Sequence, residues 1–154
     1  MKEIPLTRGM VALVDDEDFE WINQWKWMYN GCGYAVREVN GTACYMHRVI
    51  MGTPKGMVTD HVNRNKLDNR RENLRICNMS QNKINDGLRS TNSSGYKGVQ
   101  YVSNKRKRNK RWYAHIMHNY KNICIGYFYT PEEASLAYNK KALELYGEFA
   151  ETNA

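Results

Sequence analysis

Asp60 and His61 stand side by side in "TDHVNRNKLDNRRENLRICNMSQN", residues 59 to 82, with asparagines at 63, 65, 69, 73, 78 and 82. These residue types suit hydrolysis of a phosphodiester. The reaction needs a base for water, positive charge against the phosphorane, and stabilisation of the leaving 3′-oxygen. Histidine titrates near neutrality, so a neutral imidazole can take the proton from water. A hard divalent cation such as Mg²⁺ takes oxygen ligands and keeps positions open for water and phosphate. An Asp carboxylate and an Asn carbonyl are suitable donors for it; thiolate is not. Neighbouring residues on a strand point to opposite faces. Asp60 and His61 therefore reach one phosphate only where the strand ends or kinks. An Asn on a packed helix can then be a second ligand, and an Asn of the loop can hold the histidine's backbone. Against this stands the plainer fact that Asn-rich loops are usually turns and Asp-His is a common dipeptide.

The elements that must position these residues are readable from patterning. "MVTDH" predicts a strand ending at His61, and "NLRIC" a second short strand. Val62 to Glu72 form an irregular polar loop between them, and "SQNKIND" predicts a short helix stopped by Gly87. The order is β, long loop, β, α. Upstream, Val11 to Val14 make a short apolar run. An Asp in "DDEDFEWINQW" can cap a helix carrying Phe19, Ile22 and Trp25 at helical spacing. "GYAVREV" and "TACYMH" flank Asn40-Gly41, a hairpin signal. Trp21, Trp25 and Trp27 are read as core, and the segment as scaffold.

At this point the central stretch resembles the HNH endonucleases, whose β-β-α-metal motif runs Asp-His, a loop, Asn-Leu, then His or Asn on the helix. Asp60-His61 and Asn73-Leu74 match the first two elements, and Asn82 lies where the family places its last motif residue. "MHRVIMG" (46 to 52) and "DHVNRNKLDNRRENLR" look like the homing branch of phages and mobile introns, which often carries Asn in the final position. The resemblance implies His61 as general base and Asp60 and Asn82 as ligands of one divalent ion, Mg²⁺ or Mn²⁺. It implies that Asn73 constrains the loop that orients His61. Arg75 and His47 are candidates for phosphate contact; Asn65 and Asn69 are expected to be loop hydrogen-bonders, not ligands.

"LRSTNSSG", 88 to 95, lacks apolar periodicity and reads as a linker. Beyond it "YKGVQYV", "RWYAHIMH" and "ICIGYF" predict three strands, joined by "SNKRKRNK" and "NYKN". A helix follows, with Thr130 as N-cap, Pro131 at the first position, Glu133 completing a capping box and Gly147 ending it. Ala134, Ala137, Tyr138, Ala142 and Leu145 line one face of it. Trp112, Ala114 and Ile116 alternate with Tyr113, His115 and Met117, which predicts one sheet face on the helix and one free.

Residues 95 to 153 are similar to the APETALA2/ethylene-response-factor type of DNA-binding domain. Gly98, Val99, Ala114, Ile116, Gly126, Phe128, Glu133, Ala134, Ala137 and Tyr138 carry the likeness, with the closing "GEFAETN". The resemblance implies a sheet in the major groove braced by the helix. The reading positions Lys97, Gln100, His115, Met117, Asn122 and Cys124 depart from the Arg and Trp of plant members, so the plant recognition sequence does not carry over. Lys97 and Gln100 can still read a base edge or phosphate. Lys105, Arg106, Lys107, Arg108, Lys110 and Arg111 are expected to touch phosphates.

Composition agrees with a polyanionic partner: net charge is +7, and the excess sits in "RNKLDNRRENLR" and "NKRKRNKR". Cys32, Cys44, Cys77 and Cys124 form no C-x-x-C pair, so neither structural zinc nor disulfides are expected. The longest apolar runs are a few residues, and the start lacks the apolar core of a signal peptide, so the expected setting is cytoplasmic, in a bacterial or phage-infected cell.

The expected fold is α+β: residues 1–45 a β-rich scaffold, 46–87 the β-β-α-metal nuclease, 88–95 a linker, and 96–154 a three-stranded antiparallel sheet packed on one helix. The expected activity is metal-dependent, site-selective cleavage of double-stranded DNA by a monomer, one strand per site, with no membrane partner and no small-molecule cofactor. The alternative is a non-catalytic DNA-binding protein or transcription regulator. An RNA-directed enzyme is disfavoured, because the sheet lacks paired aromatics for stacking.

Overall fold

Ile4, Ala12 and Val14 all turn inward along two short strands, and that one-sided burial starts the amino-terminal unit. The structure is a computed structural model and describes residues 1–85, 87–88, 90–103 and 111–153. It is mixed α/β, with small sheets and four α-helices among the described residues. None of those helices is long and apolar enough to cross a membrane. The chain divides into two compact units, Met1–Met79 and Ser80–Ala154.

In the first unit β1 (Lys2–Pro5) and β2 (Val11–Val14) pair antiparallel. α1 (Asp16–Ile22) follows and stops at Ile22, so Trp25 lies beyond the helix on which its spacing would set it. Its indole still packs on the core, with the Arg37 guanidinium 3.9 Å from its ring centre. Asp15 precedes α1 without capping it through its side chain; its carboxylate accepts instead from the Arg71 backbone N–H at 2.7 Å.

β3 (Met28–Tyr29), β4 (Ala35–Val39) and β5 (Thr42–Tyr45) form an antiparallel sheet in that order. Asn40 and Gly41 turn the hairpin with φ of 50° and 75°, as a two-residue turn with the strands' own twist requires. The second strand ends at Tyr45 instead of running on to His47. There the chain enters α2 (Met46–Met51), whose buried Met46, His47 and Ile50 share one side, and Gly52 closes it in the left-handed region. β6 (Val58–His61) and β7 (Leu74–Cys77) then pair antiparallel, with Asp60 opposite Arg75. One core joins all of this: Ile4, Val14, Ile22 and Trp27 pack with Met46 and Leu74. The first 45 residues are thus built into the same core as the β6–β7 ribbon.

α3 (Met79–Ile84) leads into the second unit, where Ile84 packs with Ile116, Tyr138, Ala142 and Tyr146. β8 (Val99–Tyr101), β9 (Trp112–His118) and β10 (Lys121–Phe128) form an antiparallel sheet in the order β10-β9-β8. α4 (Pro131–Tyr146) buries Ala134, Ser135, Tyr138, Ala142 and Tyr146, while Ala137 and Leu145 are half-buried at the margin. Thr130 Oγ1 accepts from the Glu133 N–H at 3.2 Å. The returning Glu133 carboxylate takes the N–H of Tyr129, one residue before the cap. Within the stretch read as linker, Asn92 Oδ1 accepts from the N–H groups of Ser94 and Gly95, folding a tight turn onto Tyr96.

Candidate active site

The strand β6 ends at His61, and three side-chain amides decide the path of the chain after it. Asn73 holds the two ends of the loop together. Its Oδ1 accepts from the Asn63 N–H at 2.9 Å, its Nδ2 donates to the Asp68 carbonyl at 2.8 Å, and its own carbonyl accepts from the Val62 N–H at 2.8 Å. Asn63 Nδ2 donates to the Asp68 carboxylate at 2.9 Å, and the same carboxylate takes two bonds from Arg70 at 2.8 Å. Asn69 is fully buried and lies 3.4 Å, Oδ1 to Nε2, from His61.

The scaffold residues grip this loop from outside. The Leu13 N–H donates to the Leu67 carbonyl and the Asn69 N–H to the Leu13 carbonyl, both at 2.8 Å, so β2 treats the loop as one more strand. Arg71 forks onto the buried Asp18 of α1 at 2.7 and 2.8 Å. Bidentate pairing of this kind fixes direction as well as distance. The acidic run at the start of α1 is therefore an anchor for the loop.

His61 sits in an aromatic enclosure. The His47 ring lies edge-on to it with centroids 4.9 Å apart, and Tyr34 lies 5.3 Å from His47 and 6.1 Å from His61. Lys66 covers the Tyr34 ring at 4.5 Å and donates to the Cys32 carbonyl at 3.0 Å. Burial disfavours the charged form of both imidazoles. It lowers the pKa of His61, against the opposing pull of Asn69, Asp60 and Asp68, with Lys66 adding to the lowering. His47 is pushed down to about 3, by burial first and then by His61 and Arg48. Both rings are neutral at pH 7. A proton on Nε2 of His61 would let that nitrogen donate to Asn69 Oδ1.

Asp60, 8% exposed, is opposed by Arg75, whose Nε and Nη2 reach the single oxygen Oδ2 at 3.0 and 2.9 Å. Among the described residues no three His, Cys, Asp or Glu side chains gather as a metal-binding group. What Asp60 offers is hard oxygen at a strand end, which suits a cation such as Mg²⁺ that keeps several water ligands. Asn82 lies on α3, within the second unit.

Of the other sequence candidates, the structure brings His47 to His61 and Arg75 to Asp60. Lys97 is turned inward: its ammonium pairs with Glu151 at 2.8 Å and donates to the Ile84 carbonyl. Gln100 is exposed on β8, and Arg111 is exposed with Nη1 3.1 Å from the Tyr101 hydroxyl. His115 stacks on Tyr113 at 5.1 Å with the rings 9° apart, and burial lowers its pKa. Lys105, Arg106, Lys107, Arg108 and Lys110 lie outside the described residues. Sequence reasoning left out Tyr34 and Lys66 altogether and placed Asn69 only as a loop former. Tyr34 carries no local signal, because only the tertiary fold brings its hairpin against His61.

Residues 44–84, from β5 to the end of α3, match a family model described as HNH endonuclease. A protein of Acanthamoeba polyphaga mimivirus, itself named an uncharacterized HNH endonuclease, is 33% identical over 152 residues, which cover 95% of this chain and 76% of that protein. The likeness runs through almost the whole chain, and the model falls on the segment that builds the buried end of β6; the protein therefore belongs to the HNH endonuclease family and is a DNA endonuclease.

Proposed function

We propose that the protein is a metal-dependent, site-selective endonuclease that nicks one strand of double-stranded DNA per active site. The observation that carries this reading is the buried, neutral His61 at the end of β6, with Nε2 3.4 Å from Asn69 Oδ1. In the proposed reaction the neutral His61 imidazole takes a proton from water as the water oxygen bonds to phosphorus. The bond from phosphorus to the 3′-oxygen then breaks, leaving one strand cut. Asn73 keeps the loop closed so that His61 does not swing away. Asp60, together with Asn82 by its place in the motif, would hold Mg²⁺ or Mn²⁺. When bound, that ion supplies positive charge for the phosphorane and the leaving oxygen.

The carboxyl-terminal unit is proposed to be the part that selects the site, as an APETALA2-like domain. Support comes from a sheet covered on one face by α4, with Gln100, Tyr113 and His115 on strand positions that alternate with the buried Val99, Ala114 and Ile116. The basic run 105–111 would add salt-sensitive phosphate contacts. Lys97 drops out of the proposed contacts, since its charge is already engaged by Glu151. A single site attacks one strand, so a monomer of the homing type nicks, and a double-strand break needs two engagements.

Supercoiled plasmid with Mg²⁺ tests the reading. The wild type should give nicked circles, and His61→Ala should give none while still shifting DNA in a gel. Linear plasmid with no nicked intermediate would count against nicking, and an active His61→Ala would remove His61 as the base.

A further inference from the structure

Asp60 and Arg75 are directly opposite one another in the β6–β7 register, so their pairing is fixed by the ribbon and not by chance contact of long side chains. Both are shielded: 9% of the Asp60 side chain and 19% of the Arg75 side chain are exposed. Two guanidinium nitrogens converge on one carboxylate oxygen, Oδ2. The same carboxylate is the one proposed to ligate the divalent ion. A cation already bonded to that oxygen lowers its charge and opposes a second cation beside it. A guanidinium also binds phosphate as well as it binds carboxylate, through the same planar fork.

We propose that Arg75 makes metal binding conditional on DNA: in the free protein it occupies the Asp60 carboxylate, and on the complex the scissile-strand phosphate takes the guanidinium and frees the carboxylate for the ion. Arg75 is then a positioning residue. It keeps the site from loading a metal before substrate is in place, and it couples the two ligands reciprocally, as any linkage between binding events must. The inference rests on the proposed role of Asp60 and deepens it.

The test measures Mn²⁺ binding by electron paramagnetic resonance on the full chain, in a His61→Ala background so that DNA stays intact. Arg75, Arg75→Gln, Arg75→Lys and Asp60→Asn proteins are compared with and without a short random-sequence duplex at low ionic strength. Without DNA, Arg75→Gln should bind Mn²⁺ at least tenfold tighter than the Arg75 protein. The duplex should tighten binding to the Arg75 protein and leave Arg75→Gln little changed, and Arg75→Lys should retain the dependence on DNA. Asp60→Asn reports the ions held by the duplex alone. Equal affinities for Arg75 and Arg75→Gln, both weakened by Asp60→Asn, would overturn the coupling while keeping Asp60 as a ligand. If Asp60→Asn binds like its parent in every condition, the ligand assignment itself fails. Thermal melts of each variant establish that a change in affinity is not a loss of fold.

Discussion

Asn69 Oδ1 lies 3.4 Å from Nε2 of His61, so this one amide faces the imidazole from within the loop. The amide is itself immobile, because Asn69 is fully buried and its backbone N–H is bonded to Leu13. Asn69→Ala should lower kcat by about 10–100-fold with KM nearly unchanged, in the range lost when a partner orienting an active-site imidazole is removed. Asn69→Asp is the sharper variant. A carboxylate against His61 raises the imidazole pKa, so the acid limb of the rate–pH profile should move to higher pH. An acid limb left in place would mean that Asn69 does not govern the base.

Asn73 should matter first to the fold of the loop. Its side chain satisfies the Asn63 N–H and the Asp68 carbonyl, and it is 5% exposed. Asn73→Ala leaves both groups short of a partner inside the protein, at about 1–3 kcal/mol for each. Asn73→Asp keeps the acceptor for Asn63 and loses only the donor to Asp68, so it should fall between wild type and alanine. Urea unfolding measures the order; equal midpoints for all three would show that the clamp is not a stabilising element.

How much of this was readable in the sequence follows the range of the interactions involved. The β6–loop–β7–α3 order and the pairing of Asp60-His61 with Asn73 came from local patterning and from motif spacing. α2 escaped notice because "TACYMH" alternates well enough to pass for one continuous strand, and only burial of Met46 and Ile50 on the core turns the chain helical at Met46. An Asp of "DDEDFEWINQW" is expected to cap the helix, yet at Asp15, the residue before α1, a backbone N–H 56 positions away claims the carboxylate. Lys97 looked like a surface cation, yet Glu151 turns it inward. Tyr34 and Lys66 reach the site only through long-range packing. No window along the chain contains that information.

His47 should give stability a steep dependence on pH. Its folded-state pKa is near 3, against an ordinary value of 6.5. Below pH 6.5 the unfolded chain takes up a proton that the folded ring refuses until about pH 3. The stability carried by the neutral ring is complete above 6.5 and falls with acid by about 1.4 kcal/mol per pH unit for this group alone. His61, shifted in the same direction, adds to the slope. His47→Phe keeps an aromatic ring between Tyr34 and His61 and removes one titration. Its unfolding free energy between pH 6 and 4 should decline more gently than that of the wild type, and parallel curves would contradict the burial argument.

Gly98 sets the closest approach in the carboxyl-terminal unit. It has φ of +70°, and a Cβ there would run into the Tyr138 ring and the His115 carbonyl. The His115 N–H donates to the Gly98 carbonyl at 2.8 Å, so this residue ties the start of β8 to β9 as well as making room for α4. Neither partner can give way easily, since Tyr138 is 2% exposed in the core. Gly98→Ala combines overpacking with a left-handed backbone and should cost about 2 kcal/mol or more. Trp112 is the single tryptophan of this unit; Trp21, Trp25 and Trp27 lie in the other. With 5-fluorotryptophan incorporated, the Trp112 resonance of Gly98→Ala should reach its denatured position at lower urea than in the wild type. An unchanged Trp112 midpoint would mean that the close packing of Gly98 against Tyr138 is not what holds the sheet to the helix.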